Sequence, residues 1–236
     1  MNSEFTFQLD GHNVVAQKGE TILVAAENAG VSIPRLCFQD NCRPDGNCRA
    51  CVVEIEGERT LAPSCSRLAE KSMVVRSNNA RAQFSQKMVI KMLSSDLTEN
   101  YSTDSIQSNN TELSKWVSHF DIHHGDTPHQ SSVIDITNPA ITVDLGQCIQ
   151  CTRCVRACRE TQVNDVIGIS NRGSNLKITF DLDATLGESS CVSCGECVQA
   201  CPTNALTSTG AATNLPDTKK IDTVCPYCGV GCLLTF

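Results

Sequence analysis

The sequence predicts an α+β fold built as a series of small modules, on three observations. The opening stretch alternates polar and apolar residues as a hairpin does, then shifts to helical spacing and back to strand. The second half carries one four-cysteine spacing twice. The 16 cysteines of the 236 residues fall into three groups separated by long stretches without any. The expected modules are residues 1–77, a β-grasp sheet with a cysteine loop; 78–138, a helical linker; 139–209, the duplicated cysteine run; and 210–236, a linker and a short cysteine tail.

Composition narrows the function. A net charge of −7 and 4% aromatic residues argue against nucleic-acid binding. The first ten residues lack the basic and apolar regions of a signal peptide, and no apolar run approaches a membrane span. A cysteine-rich chain of this kind belongs in a reducing, cytoplasmic compartment. There its cysteines serve as metal thiolates rather than disulfides. Modules this small have thin cores, so bound metal would staple them and its loss would unfold them.

Residues 4–9 and 14–16 read as two strands about a turn at residues 10–13. Thr21 is placed to cap a helix to about Ala29, with Gly30 as its stop. A long loop from Cys37 to Cys51 follows, then a strand at residues 52–55, a Glu56-Gly57 turn, the segment Leu61-Ala62-Pro63-Ser64-Cys65, and Val74-Val75 to close the sheet. The plant-type spacing C-x4-C-x2-C fails here, because Asp45 stands where its third cysteine would be. Cys37, Cys48, Cys51 and Cys65 fit a [2Fe-2S] cluster better, with Cys48 and Cys51 as a tight pair and Gly46 supplying a positive φ beside it. Cys42 is left as a spare loop thiol.

Residues 78–97 read as a helix whose Phe84, Met88 and Met92 recur every four positions, a stripe expected to face the core. Residues 98–110 read as loop and 112–120 as a short helix with Trp116 as anchor. His119, His123, His124 and His129 match no metal-site spacing and read as loop residues.

Cys148, Cys151, Cys154 and Cys158 make one C-x2-C-x2-C-x3-C run. Cys191, Cys194, Cys197 and Cys201, followed by Pro202, make a second. A helix is expected to carry the fourth cysteine of each. This is the bacterial two-cluster ferredoxin pattern, in which that fourth cysteine serves the other cluster. Cys148, Cys151, Cys154 and Cys201 should hold one [4Fe-4S] cluster, and Cys158, Cys191, Cys194 and Cys197 the other. Zinc knuckles would show paired CxxC motifs instead. Arg153, Arg156 and Arg159 stand beside these thiolates, where positive charge raises a cluster's potential or simply decorates the surface.

The segments Ile33-Pro34-Arg35-Leu36-Cys37, Gly46-Asn47-Cys48-Arg49-Ala50-Cys51 and Leu61-Ala62-Pro63-Ser64-Cys65 resemble the [2Fe-2S] domain of the large iron–sulfur subunit of respiratory NADH dehydrogenase. They resemble iron-only hydrogenases and NAD-linked formate dehydrogenase α subunits equally. In the NADH dehydrogenase subunit a cluster with one histidine ligand follows. Here Asp96-Leu97 stands at that point and no cysteine lies between Cys65 and Cys148, so that cluster is not expected. The run from Cys148 to Ile167 and the end, Cys225-Pro-Tyr-Cys228-Gly-Val-Gly-Cys232, resemble molybdenum or tungsten formate dehydrogenase α subunits. In those proteins the last motif opens the molybdopterin domain.

The resemblance implies an electron-transfer region relaying electrons from formate oxidation toward flavin- and NAD-binding iron–sulfur partner subunits. Cys225, Cys228 and Cys232 would form an incomplete [4Fe-4S] site, filled only if a fourth ligand is supplied, and this tail is expected to be disordered or without a cluster. Molybdopterin guanine dinucleotide would belong to a catalytic molybdopterin domain beyond these residues. No catalytic residue and no formate oxidation by this chain alone are expected. The competing reading is a free-standing polyferredoxin serving a hydrogenase or NADH dehydrogenase.

Overall fold

Asp10 and Gly11 take positive φ angles of 51° and 86°. That is the mirror-image turn whose twist suits a two-residue hairpin. It joins β1 (Glu4–Leu9) to β2 (His12–Gln17) with Phe7 opposite Val14. In this computed structural model the described residues are 4–95, 97, 111–123, 134–209, 221–225 and 230–235.

Thr21 caps α1 (Ile22–Asn28), its hydroxyl accepting from the Val24 amide, and Ile22, Leu23, Ala25 and Ala26 are buried. The sheet continues with β3 (Val52–Ile55), β4 (Ala62–Pro63) and β5 (Val74–Arg76) in the order β2-β1-β5-β3-β4. β5 does not close an edge. It sits in the middle, parallel to β1 and antiparallel to β3. Phe7, Leu9, Ile22, Leu23, Val53 and Val75 form the core of this β-grasp.

α2 (Ala80–Ser95) packs on β3, but by a face the apolar spacing does not indicate. Ala82, Gln86, Ile90 and Ser94 are buried, while Phe84, Met88 and Met92 are 69%, 43% and 63% exposed. The expected core stripe is therefore a surface stripe. Two residues of offset turn a helix by roughly 200°, so the two rows lie on opposite sides. Gln86 decides the orientation: its side-chain amide donates to the carbonyls of Val52 (2.9 Å) and Ser77 (3.3 Å).

α3 (Glu112–His119) is capped by Thr111, with a reciprocal bond from the Thr111 amide to Ser114. Trp116 packs at the edge of a buried cluster that includes Leu36, Ile90, Leu113 and Val117. His119 and His123 lie on or near α3, His119 against the rings of Trp116 and Phe120 and His123 beside Asp121. His124 and His129 lie outside the described residues, as do residues 98–110 and 210–220.

In the second module, β6 (Ile134–Asp135), β7 (Ile141–Asp144) and β10 (Leu206–Ser208) form one small sheet. β8 (Ile167–Ser170) and β9 (Lys177–Phe180) form a hairpin. α4 (Arg153–Arg156) runs into a π-helical turn at residues 157–161 that carries Cys158. α5 (Glu196–Ala200) stops one residue before Cys201, which is extended rather than helical as expected. β11 (Asp222–Val224) and β12 (Leu233–Thr235) pair as a separate two-stranded ribbon.

Candidate metal centres

The loop between Ile33 and Cys51 has no regular structure, and its backbone is bent by positive φ angles at Asn41 (65°), Gly46 (63°) and Arg49 (61°). Those bends bring Cys48 and Cys51 toward Cys37. Cys65 arrives on the far side from β4, where the Ser64 amide and hydroxyl both donate to the Cys51 carbonyl (3.1 and 2.7 Å). Cys37, Cys51 and Cys65 are buried and Cys48 is half-buried. The thiols meet in a chain, Cys48 with Cys37, Cys37 with Cys65 and Cys65 with Cys51. Hydrogen bonds from Cys48 and Cys65, helped by the Cys48 and Asn47 amides, hold Cys37 low. Its bond to Cys37 and its burial hold Cys48 well above the ordinary range. Cys65 is held high by its bonds to Cys37 and Cys51. Cys51, accepting from Cys65, falls to about 7. Cys42 stays apart: its sulfur lies 3.7 Å from the Thr161 hydroxyl of the second module.

The two cysteine runs are alike at the level of the backbone. Gln150 and Ser193, each two residues past the first cysteine, share φ angles of 56° and 55°, and Thr152 and Gly195 before the helices share 62° and 78°. These bends turn the Gln150 amide onto the Cys148 sulfur (3.4 Å) and the Ser193 amide onto the Cys191 sulfur (3.3 Å). A small cavity is lined by Cys148, Cys151, Cys154 and, from the other run, Cys201, with apolar walls that include Ile149 and Ile178. Burial pushes Cys148 up to about 11 and Cys151 up to about 12. Cys197 is likewise raised to about 12, by burial and then by the charges of Cys191, Cys194 and Cys158. So Cys158 gathers with the second run and Cys201 with the first.

These arrangements fit clusters rather than single ions. Among the described residues no three Cys, His, Asp or Glu side chains converge on one point, as ligands of a tetrahedral zinc about 2.3 Å from each sulfur must. Thiols ranged round an apolar cavity with amides aimed at their sulfurs are what a cubane needs. Cys225 and Cys232 are brought together at the base of the β11–β12 ribbon, with the Cys225 amide donating to the Cys232 carbonyl at 2.8 Å. The described part of the tail is thus a paired ribbon. Cys228 lies outside the described residues.

The three arginines differ. Arg159 is exposed and pairs with Asp165 at 2.6 Å. Arg153 is buried and pairs with Glu112 at 2.8 Å. Arg156 is buried against the loop of the first module. The two modules share one apolar cluster in which Leu36, Cys37 and Ala50 pack with Ile149 and Cys151.

Comparison with known proteins gives the same division. Residues 2–80 match a 2Fe-2S iron-sulfur cluster binding domain and residues 147–205 a 4Fe-4S dicluster domain. This is an iron–sulfur electron-transfer protein. It is 33% identical to an NADH-quinone oxidoreductase subunit of Rhizobium meliloti, over 96% of this chain and 27% of that protein. It is 33% identical to an NADP-reducing hydrogenase subunit of Solidesulfovibrio fructosivorans, over 86% and 36%. A putative formate dehydrogenase of Staphylococcus aureus is 27% identical over 98% and 28%. The chain thus spans about a quarter to a third of the length of these relatives. A chain of the crystal structure of an NAD+-reducing [NiFe]-hydrogenase superposes with a TM-score of 0.81 at 26% identity, over 91% of each chain. No helix among the described residues is long and apolar enough to cross a membrane.

Proposed function

We propose that the chain is the electron-transfer region of a NAD-linked formate dehydrogenase α subunit, holding its centres in a line between a molybdopterin domain and a flavin-bearing partner. Its ligands in this reading are Cys37, Cys48, Cys51 and Cys65 for [2Fe-2S]; Cys148, Cys151, Cys154 and Cys201 for one [4Fe-4S]; and Cys158, Cys191, Cys194 and Cys197 for the other. When bound, such clusters supply one-electron carriers. The protein's part is to space, bury and orient them. The domain limits 1–77, 78–138, 139–209 and 210–236 belong to the same proposal.

The observation that carries the relay reading is the shared packing of Cys37 with Cys151, which sets the first two sites side by side. Leu36, Ala50 and Ile149 are buried in the same cluster. Cys194 is exposed, which supports the second cubane site as the one nearest solvent. The motif Cys225-x2-Cys228-x3-Cys232 supports formate over other donors, because it resembles the start of a molybdopterin domain.

The hydrogenase reading has support of its own, from a solved hydrogenase chain matched over 91% of both lengths. One experiment separates the two. Anaerobic extract of the source cells, with the chain immunocaptured together with its partners, is given formate or hydrogen and its visible cluster absorbance is followed. Bleaching by formate supports the formate dehydrogenase assignment; bleaching by hydrogen alone overturns it in favour of the hydrogenase. The purified chain by itself should oxidise no formate with a dye acceptor.

A further inference from the structure

Arg156 lies between Cys154 and Cys158 and is 4% exposed. The partners of its guanidinium are in the other module. Nη2 donates to the Cys37 carbonyl, Nη1 donates to the Arg43 carbonyl at 2.7 Å, and Nε lies 3.1 Å from the Asp45 carboxylate. Asp45 also accepts from the Thr152 hydroxyl at 2.7 Å, and the Asn47 side-chain amide donates to that hydroxyl at 3.1 Å. The loop before the Cys48–Cys51 pair is thus clamped onto the start of the cubane helix, at a Thr152 whose left-handed φ of 62° needs such support.

A guanidinium suits this place because it is planar, permanently charged and forked, and because a buried cation persists where a carboxylate and further acceptors meet it. Its positive charge sits on the backbone carbonyl of one ligand of the Cys37 centre. An electron added there is attracted to it, and the low local dielectric strengthens the attraction. Asp45, at the same junction, acts in the opposite sense.

We propose that Arg156 is a positioning residue that fixes the Cys37 loop against the cubane helix and raises the reduction potential of the [2Fe-2S] centre. The inference rests on the ligand assignment above. Its test is an anaerobic redox titration of the intact chain followed by EPR, with Arg156→Gln, Arg156→Lys and Asp45→Asn beside the wild type. Arg156→Gln should disfavour [2Fe-2S] reduction tenfold or more, a downward shift of ~59 mV for one electron. Asp45→Asn should shift it upward, and Arg156→Lys, which keeps the charge, should stay nearer the wild type than Arg156→Gln does. Unchanged potentials in both Arg156→Gln and Asp45→Asn, or shifts of the same sign, would overturn the proposal. Should Arg156→Gln lose its iron, Asp45→Asn decides: an upward shift supports the proposal and no shift overturns it. A wild type with no [2Fe-2S] signal would instead overturn the ligand assignment, and this inference with it.

Discussion

The Thr203 hydroxyl donates to the Gln147 carbonyl at 2.6 Å. Gln147 precedes the first cysteine of the first run, and Thr203 follows the last cysteine of the second. The bond therefore ties Cys201 to the mouth of the cavity that Cys148, Cys151 and Cys154 line.

Crossed pairing makes an arithmetic prediction. If Cys148 and Cys201 serve one cluster, Cys148→Ser combined with Cys201→Ser removes that cluster alone and leaves about six irons of about ten. If each run served its own cluster, the same double variant would lose both cubanes and keep about two. Cys148→Ser with Cys158→Ser reverses the outcomes. Iron analysis of the two double variants distinguishes the schemes.

α2 offers a contrast between burial and apolarity. Gln86→Leu should destabilise the first module by about 1–3 kcal/mol, because the Val52 and Ser77 carbonyls lose their donor in a buried place. Met88→Lys, on the exposed stripe, should change stability by no more than about 0.5 kcal/mol. Thermal unfolding of the two loaded variants checks this, and equal losses would mean that α2 packs by its apolar stripe after all.

What the sequence made legible was local. The turn after β1, the Thr21 cap and the two cysteine runs each depend on residues a few positions apart, and the structure has them in place, except that the turn is confined to Asp10 and Gly11 while His12 and Asn13 already belong to β2. The central position of β5 was not legible, since its parallel pairing with β1 joins residues far apart in the chain. Nor was the buried face of α2, where Gln86 and Ser94 are polar but bonded while the methionines are apolar but exposed. The role of Arg156 was hidden for the same reason: the Cys37 carbonyl is 119 residues away.

Asp135 predicts an acid-sensitive clasp. Burial works against its charge, but bonds from the Leu186 amide (2.7 Å) and from the Thr137 amide and hydroxyl (2.9 and 2.6 Å) outweigh it and hold the carboxyl below its usual range. A folded-state value below the ordinary 3.8 means that the clasp contributes fully above that pH. Its contribution is lost as pH falls through the folded value. At neutral pH, Asp135→Ala should therefore lower the protection factor of the Leu186 amide, as protonation of Asp135 in acid does in the wild type. Unchanged exchange at that amide would remove Asp135 from the clasp.

Gly187 completes the clasp by close approach. A Cβ built there would stand 2.5 Å from the Thr137 carbonyl oxygen, backbone that cannot swing aside. Gly187→Ala should push the 134–137 segment off residues 186–187 and cost about 1–3 kcal/mol, as overpacking does. Loss of protection at Gly187, whose amide donates to the Thr137 hydroxyl at 2.8 Å, would report it. An unaffected Gly187 amide would show that the segment yields without cost.

The central claim is three clusters on twelve thiols. It is tested most directly by anaerobic iron and sulfide analysis with EPR of the dithionite-reduced chain. The account predicts about ten irons, one [2Fe-2S] signal and two interacting [4Fe-4S] signals, unchanged when Cys225 and Cys232 are both replaced by serine. Zinc in place of iron, or a [2Fe-2S] signal without the paired cubanes, would contradict it.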